Sequence, residues 1–148
     1  MKKAAAAGII AICALLFMVN CSGGNRSQRN IIEIRERMFI GQINEIYLNA
    51  EEYIGRTIKL EGIFQTHQSG EGQFYSVVRN GPGCCGDDGL VGFEVAWAEN
   101  QRYPEHNAWV EAIGVLQLNR ASNYISFPYL DLTSLTELNR RGREFVNQ

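Results

Sequence analysis

Several signatures that would assign a chemistry are missing from this 148-residue chain. It contains no G-x-S-x-G nucleophile elbow, no phosphate-cradling G-x-x-x-x-G-K-[ST] loop and no H-E-x-x-H. Serine-hydrolase, nucleotide-hydrolase and zincin chemistry therefore have no carrier. A basic excess is missing too, with 14 Lys and Arg against 16 Asp and Glu and a net charge of −2. A mildly acidic domain lacks the electrostatic footprint by which proteins hold nucleic-acid phosphates, which argues against that partner. Histidine is scarce, with only His67 and His106, and both read as exposed loop residues beside Gly-rich and Pro-containing turns. The carboxylate pairs Glu51-Glu52 and Asp87-Asp88 are sequence neighbours. Adjacency does not set two carboxyls across a substrate as glycoside hydrolysis requires. Internal repeats and low-complexity tracts are absent as well. The chain reads as a non-enzyme with no catalytic residue to nominate.

What is present begins at the amino terminus. Lys2 and Lys3 precede an uncharged run from Ala4 to Val19, which ends at Asn20-Cys21. That run is shorter than the ~18–20 apolar residues that favour a permanent transmembrane helix, and it reads as a secretory signal. Gly23 to Asn30 then contains no apolar residue and suits a linker. Cysteine at the end of the apolar run resembles the lipobox of bacterial lipoproteins. The resemblance implies that residues 1–20 are a signal peptide and that Cys21 receives a diacylglycerol and becomes the first mature residue. Residues 21–30 then form a flexible tether, and 31–148 a single β domain on the extracytoplasmic side of a bacterial membrane. Lipid chains contribute about 0.8 kcal/mol per buried CH₂, so several of them hold a soluble domain at a bilayer stably.

From Ile31 onward the hydrophobic period is mostly two. Ile32, Ile34, Met38 and Ile40 suggest a first strand. Ile58, Leu60, Gly62 and Phe64 alternate with Thr57, Lys59, Glu61 and Ile63 as a half-buried strand. Further strands are expected at Phe74–Arg79, Val91–Trp97, Val110–Leu118 and from Tyr124 to about Leu138, the last carried past a bulge and followed by a frayed tail. Asn49 to Gly55 suits one helical turn stopped at glycine. Five to seven strands with little helix predict an all-β domain, a small OB-like, partly open barrel, with a two-sheet sandwich as the alternative. Gly62 and Gly114 inside strands mark tight bending or close backbone approach. Tyr47, Tyr53, Trp97, Trp109, Tyr124 and Tyr129 read as core or sheet-face aromatics, or as a stacking platform of the kind OB-like faces offer to oligosaccharides or single strands.

The chemistry of the domain concentrates in Arg79-Asn80-Gly81-Pro82-Gly83-Cys84-Cys85-Gly86-Asp87-Asp88-Gly89. Four readings of the vicinal cysteines stand open. A Cys84–Cys85 disulfide has to form across Cα atoms about 3.8 Å apart, below the ~4.4–6.8 Å of relaxed bridges. A divalent metal such as zinc could draw on Cys84 and Cys85 with Asp87 or Asp88, although the usual ligand spacing of two to four residues is missing. A redox thiol lacks a helix N-terminus or C-x-x-C to lower its pKa. The plainest reading packs one cysteine as a small hydrophobe while the aspartates shape the turn.

Arg79, Cys84-Cys85, Asp88, Gly92 and then Trp109-Val110 before Gly114 resemble the soluble C-terminal domain of a bacterial two-component permease-subunit family of unknown function. The similarity runs from about Tyr53 to Leu138. It implies a small β domain outside the membrane, associated with a permease or other envelope membrane protein. It also singles out Arg79, beside the Cys-Cys-x-x-Asp core, as a candidate site residue. The transmembrane helices that precede the domain in that family are replaced here by the Cys21 leader.

Overall fold

Alternating apolar and polar residues become strand where turns bound them, as the computed structural model shows for the residues described, 31–70, 72–82, 88–99, 101–120 and 126–147. Five long strands carry the domain: β2 (Thr57–Ser69), β3 (Gly72–Pro82), β4 (Asp88–Ala96), β5 (Trp109–Arg120) and β6 (Ser126–Glu137). A three-residue β1 (Ile31–Glu33) pairs in parallel with the start of β2. The sheet order is β1-β2-β3-β4-β6-β5, and β5 also pairs with β2, so β2 to β6 close into a five-stranded barrel. β4 and β6 run parallel, and the other barrel neighbours are antiparallel. This is the Greek-key order of an OB-like barrel, as the strand count and internal glycines imply.

Closure depends on strands that change partner. Ile63 pairs with Val78 of β3 and with Trp109 of β5, so β2 switches neighbours there. Gly62 sits at the switch, where an added Cβ would lie 2.7 Å from the Val78 carbonyl oxygen. Gly114 meets the same limit at 2.8 Å from the Asp131 carbonyl oxygen, beside the register shift between Ile113 and Gly114. There Ile113 pairs with Ser134 and Gly114 with Leu132, so Thr133 is the extra residue of the expected bulge in β6. Its hydroxyl donates to the Ile113 carbonyl at 3.1 Å.

The barrel interior is filled by Ile58, Leu60, Phe64, Val77, Phe93, Val95, Val110, Ala112, Leu116, Leu130 and Leu132, all buried. Helix α1 (Phe39–Leu48) adds Phe39, Ile40, Ile43 and Ile46 to this core. The strand expected over Ile32 to Ile40 is thus corrected. Only Ile31–Glu33 is extended, a 3-10 turn covers Glu36–Met38, and α1 begins at Phe39. Ile32, Ile34, Met38 and Ile40 match period two by coincidence, whereas Phe39, Ile40, Ile43 and Ile46 form the 3.6-period stripe that is buried. The helical turn before glycine does occur as α2 (Ala50–Tyr53), and Gly55 follows at φ 78, where a side chain would be strained.

The carboxyl-terminal segment is also not frayed. Val146 is 2% exposed, its N–H donates to the Asn80 carbonyl at 2.7 Å, and the Asn80 N–H donates to the Glu144 carbonyl at 2.8 Å. Phe145 forms a parallel bridge to Asn80. Because β2 turns away from β3 after the Ile63–Val78 pair, the backbone of Asn80 needs another partner, and the tail supplies it.

Candidate functional site

The β3–β4 hairpin carries Arg79 and the segment that holds the vicinal cysteines. Arg79 pairs with Val91, and Pro82 pairs with Asp88, which opens β4. Cys84, Cys85 and Asp87 lie outside the described residues, as does Cys21, and of Asp88 only the backbone position is described. Among the described residues no three His, Cys, Asp or Glu side chains gather closely enough to hold a metal ion. In the same residues no helix is long and apolar enough to cross a membrane.

Arg79 points inward. Strand alternation places it on the face of Tyr75 and Val77, and it is 3% exposed. Its Nε donates to the Glu61 carbonyl at 2.8 Å. Its Nη1 donates to Glu36 Oε2 at 3.2 Å and to the Arg143 carbonyl at 3.1 Å. The guanidinium carbon lies 4.8 Å from the Phe39 ring centre and 4.9 Å from that of Trp109. One cation thus joins β2, β3, the 3-10 turn and the tail in the gap left where β2 departs from β3. Burial pulls its pKa down, and the hydrogen bond it donates to Glu36 opposes that pull. Glu36 is held below the ordinary carboxylate range, first by the Arg143 backbone N–H and then, against the effect of burial, by Arg79.

Arg79 therefore closes the barrel at this point, and it also lines a pocket of about 290 Å³ together with Glu33, Arg35, Glu36, Lys59 and Glu61. Sequence reasoning placed it beside the cysteines and missed its partners Glu36, Phe39 and Arg143. Trp109 was a hint, because it stands with Arg79 among the residues carrying the family resemblance, and the two are in contact. Among the described residues the buried indole Nε1 of Trp109 has no hydrogen-bond partner. Gly142 packs against its ring, since a Cβ there would lie 2.8 Å from Cζ2. Gly92 likewise serves close packing, with an added Cβ 2.1 Å from the Val77 carbonyl oxygen.

The family of the DUF1980 C-terminal domain matches residues 20–147. The chain belongs to that family. No curated protein matches it. In this DUF1980 domain, Arg79, Gly92, Trp109 and Gly114 all build the barrel.

Two exposed apolar side chains flank Asn80 of β3. Asn80 pairs with Leu90 on one side and with Phe145 on the other, so the three side chains form a row across neighbouring strands. Leu90 is 52% and Phe145 40% exposed.

The remaining nominated residues divide between packing and surface. Trp109 is core, Tyr47 stacks on Phe93 and donates to the Gly92 carbonyl, and Trp97 meets Tyr103 edge-on. Burial raises the Tyr47 and Tyr103 pKa values. Tyr53 and Tyr129 are half-buried, and Tyr124 lies outside the described residues. His106 is exposed in the β4–β5 connection, where Nδ1 accepts from the Thr66 N–H. His67 is not in a loop. It lies on β2, half-buried, with Nε2 2.8 Å from Ser76 Oγ.

Proposed function

We propose that this DUF1980 domain is a non-enzymatic accessory module, tethered through lipidated Cys21 to the extracytoplasmic face of a bacterial membrane and docked by its β3–β4 hairpin on an envelope membrane protein, a permease being the partner the family resemblance suggests. The observation that carries the reading is the row Leu90–Asn80–Phe145, where β4, β3 and the tail run side by side. Large apolar groups exposed together on a strand pair immobilised by Arg79 suit a contact surface. The leader ending at Cys21 supports the tether, and a polar linker of about ten residues lets the domain sample roughly 17 Å from its anchor.

A photoreactive residue at position 90 tests the docking in native membranes. The expected product is an adduct with an integral-membrane protein that disappears in a Phe145→Glu background. Recovery of the protein alone, or an adduct indifferent to Phe145→Glu, refutes the docking. Membrane retention and a mass shift at Cys21, both lost in Cys21→Ala, test the anchor separately. The rival reading, zinc held by Cys84 and Cys85 with Asp87 or Asp88, is separated by elemental analysis. The accessory reading expects no more metal in the purified protein than in a Cys84→Ser/Cys85→Ser control.

A further inference from the structure

On the outer face of the barrel a shallow pocket of about 310 Å³ is lined by Gln73, Phe74, Glu94, Asn119 and Phe127, next to the β2–β3 turn at Ser69 and Gly72. Strand register explains its shape. His67 and Phe74 are cross-strand partners whose rings stack at 4.7 Å with an interplanar angle of 15°, and the hydrogen bond between His67 and Ser76 fixes the imidazole. On the opposite side of Phe74 the register that pairs Tyr75 with Val95 brings up Ala96, whose methyl is too short to cover the ring. Phe74 is accordingly 36% exposed. Glu94 stands one row further along, between its partners Ser76 on β3 and Tyr129 on β6. Phe127 faces Asn119 across the β5–β6 pair. The short side chain of Ala96 on β4 thus leaves one face of Phe74 open, in a trough with a carboxylate between two aromatic walls.

We infer that this trough binds an oligosaccharide, one pyranose ring lying on the open face of Phe74 while its hydroxyls meet Glu94, Gln73 and Asn119. A sugar ring presents an apolar C–H face and a rim of hydroxyls that both donate and accept. The pocket answers with a flat, pre-positioned aromatic ring, a carboxylate acceptor and two carboxamides that offer both roles. Single-stranded nucleic acid is the other ligand that OB-like faces stack, but its phosphates need Lys or Arg along the groove. The described lining supplies neither, and Glu94 adds a repelling charge. The inference depends on neither the anchor nor the hairpin contact, since it concerns another face and another readout.

Titration of the isotopically labelled full chain with tri-N-acetylchitotriose, cellotriose and maltotriose, followed by amide chemical shifts, tests it. Saturable shifts are expected at Phe74, Glu94 and Asn119 with at least one trisaccharide. Phe74→Leu keeps an apolar side chain but removes the flat face, and Glu94→Gln removes the charge. Each is expected to weaken binding about ten-fold, equivalent to about 1.4 kcal/mol, while Glu105→Gln in the β4–β5 connection changes nothing. Thermal melts of both variants at the wild-type midpoint establish that the fold is intact. Absence of saturable shifts with all three sugars overturns the inference, as do shifts confined to other faces or affinities unchanged in Phe74→Leu and Glu94→Gln. Tighter binding of a thymidine oligonucleotide at the same residues overturns it in favour of nucleic acid.

Discussion

Replacing Arg79 distinguishes a closing residue from a functional one. Arg79→Met keeps most of the side-chain volume but leaves the Glu61 and Arg143 carbonyls without the donors now at 2.8 and 3.1 Å. Hydrogen bonds from a charged donor contribute about 1.5–3 kcal/mol each. The two ring contacts add about 0.5–1 kcal/mol each. The Glu36 pair contributes little, because that carboxylate is 43% exposed and screened by solvent. Against these losses stands the relief of no longer desolvating a guanidinium, a few kcal/mol. The balance is a net destabilisation of about 3 kcal/mol. Arg79→Lys retains charge but not the planar fork that reaches β2 and the tail together, and is expected to cost about 2 kcal/mol. Urea unfolding measures both. With a slope near 2 kcal/mol/M, the Met variant should shift the midpoint by about 1.5 M at unchanged slope. A shift below about 0.5 M at the same slope, that is under about 1 kcal/mol, refutes the closing role and returns Arg79 to the candidates for ligand contact.

Three further outcomes follow from the same geometry. Gly92→Ala drives a methyl into the Val77 carbonyl oxygen and should cost about 3 kcal/mol in urea unfolding, whereas Gly41→Ala on α1, with nothing within 4 Å of the new atom, should stabilise by about 0.5–1 kcal/mol. Equal effects refute the steric account. Because the folded pKa of Glu36 is depressed, its contribution is present above the unfolded value of about 4.3 and is lost as pH falls through the lower folded value. Wild type should therefore exceed Glu36→Gln in stability at pH 7 and converge with it in strong acid, and parallel pH–stability curves contradict the pairing. Val146→Ala should cost about 1–2 kcal/mol and speed hydrogen exchange at Asn80, while a frayed tail predicts no change in either.

The barrel was legible wherever one strand face is buried and the other is wet. β2 and β5 show clean alternation because each pairs on both edges and turns one face to a filled interior. Gly62 and Gly114 were readable for the same reason, since a small strand radius brings a neighbouring backbone onto the Cβ position. The Ile32–Met38 region was not legible as turn and helix. Four apolar residues satisfy period two there, and the competing stripe at Phe39, Ile43 and Ile46 starts inside the same window. Val146 was invisible in principle, because two adjacent apolar residues, Phe145 and Val146, after a polar run have no period. It is buried only because β2 leaves β3 at Ile63, an event set by pairing far away in sequence.

The packing role of Arg79 was hidden for a related reason. In one dimension Arg79 belongs with the cysteines, five residues away at the nearest. Strand alternation instead sends its side chain into the barrel, where its partners come from Glu36, Glu61 and Arg143. A charged residue beside a cysteine motif is thus explained by the need to seal a closed barrel at a point where two strands part and no apolar side chain can satisfy the exposed carbonyls. The described part of the motif, Arg79, Gly92, Trp109 and Gly114, is thereby a scaffold. A substitution that abolishes function at any of the four scaffold positions carries no information about chemistry unless folding is measured beside it. Substitutions at Leu90 and Phe145, or at Phe74 and Glu94, leave the scaffold standing and interrogate the two outer surfaces separately.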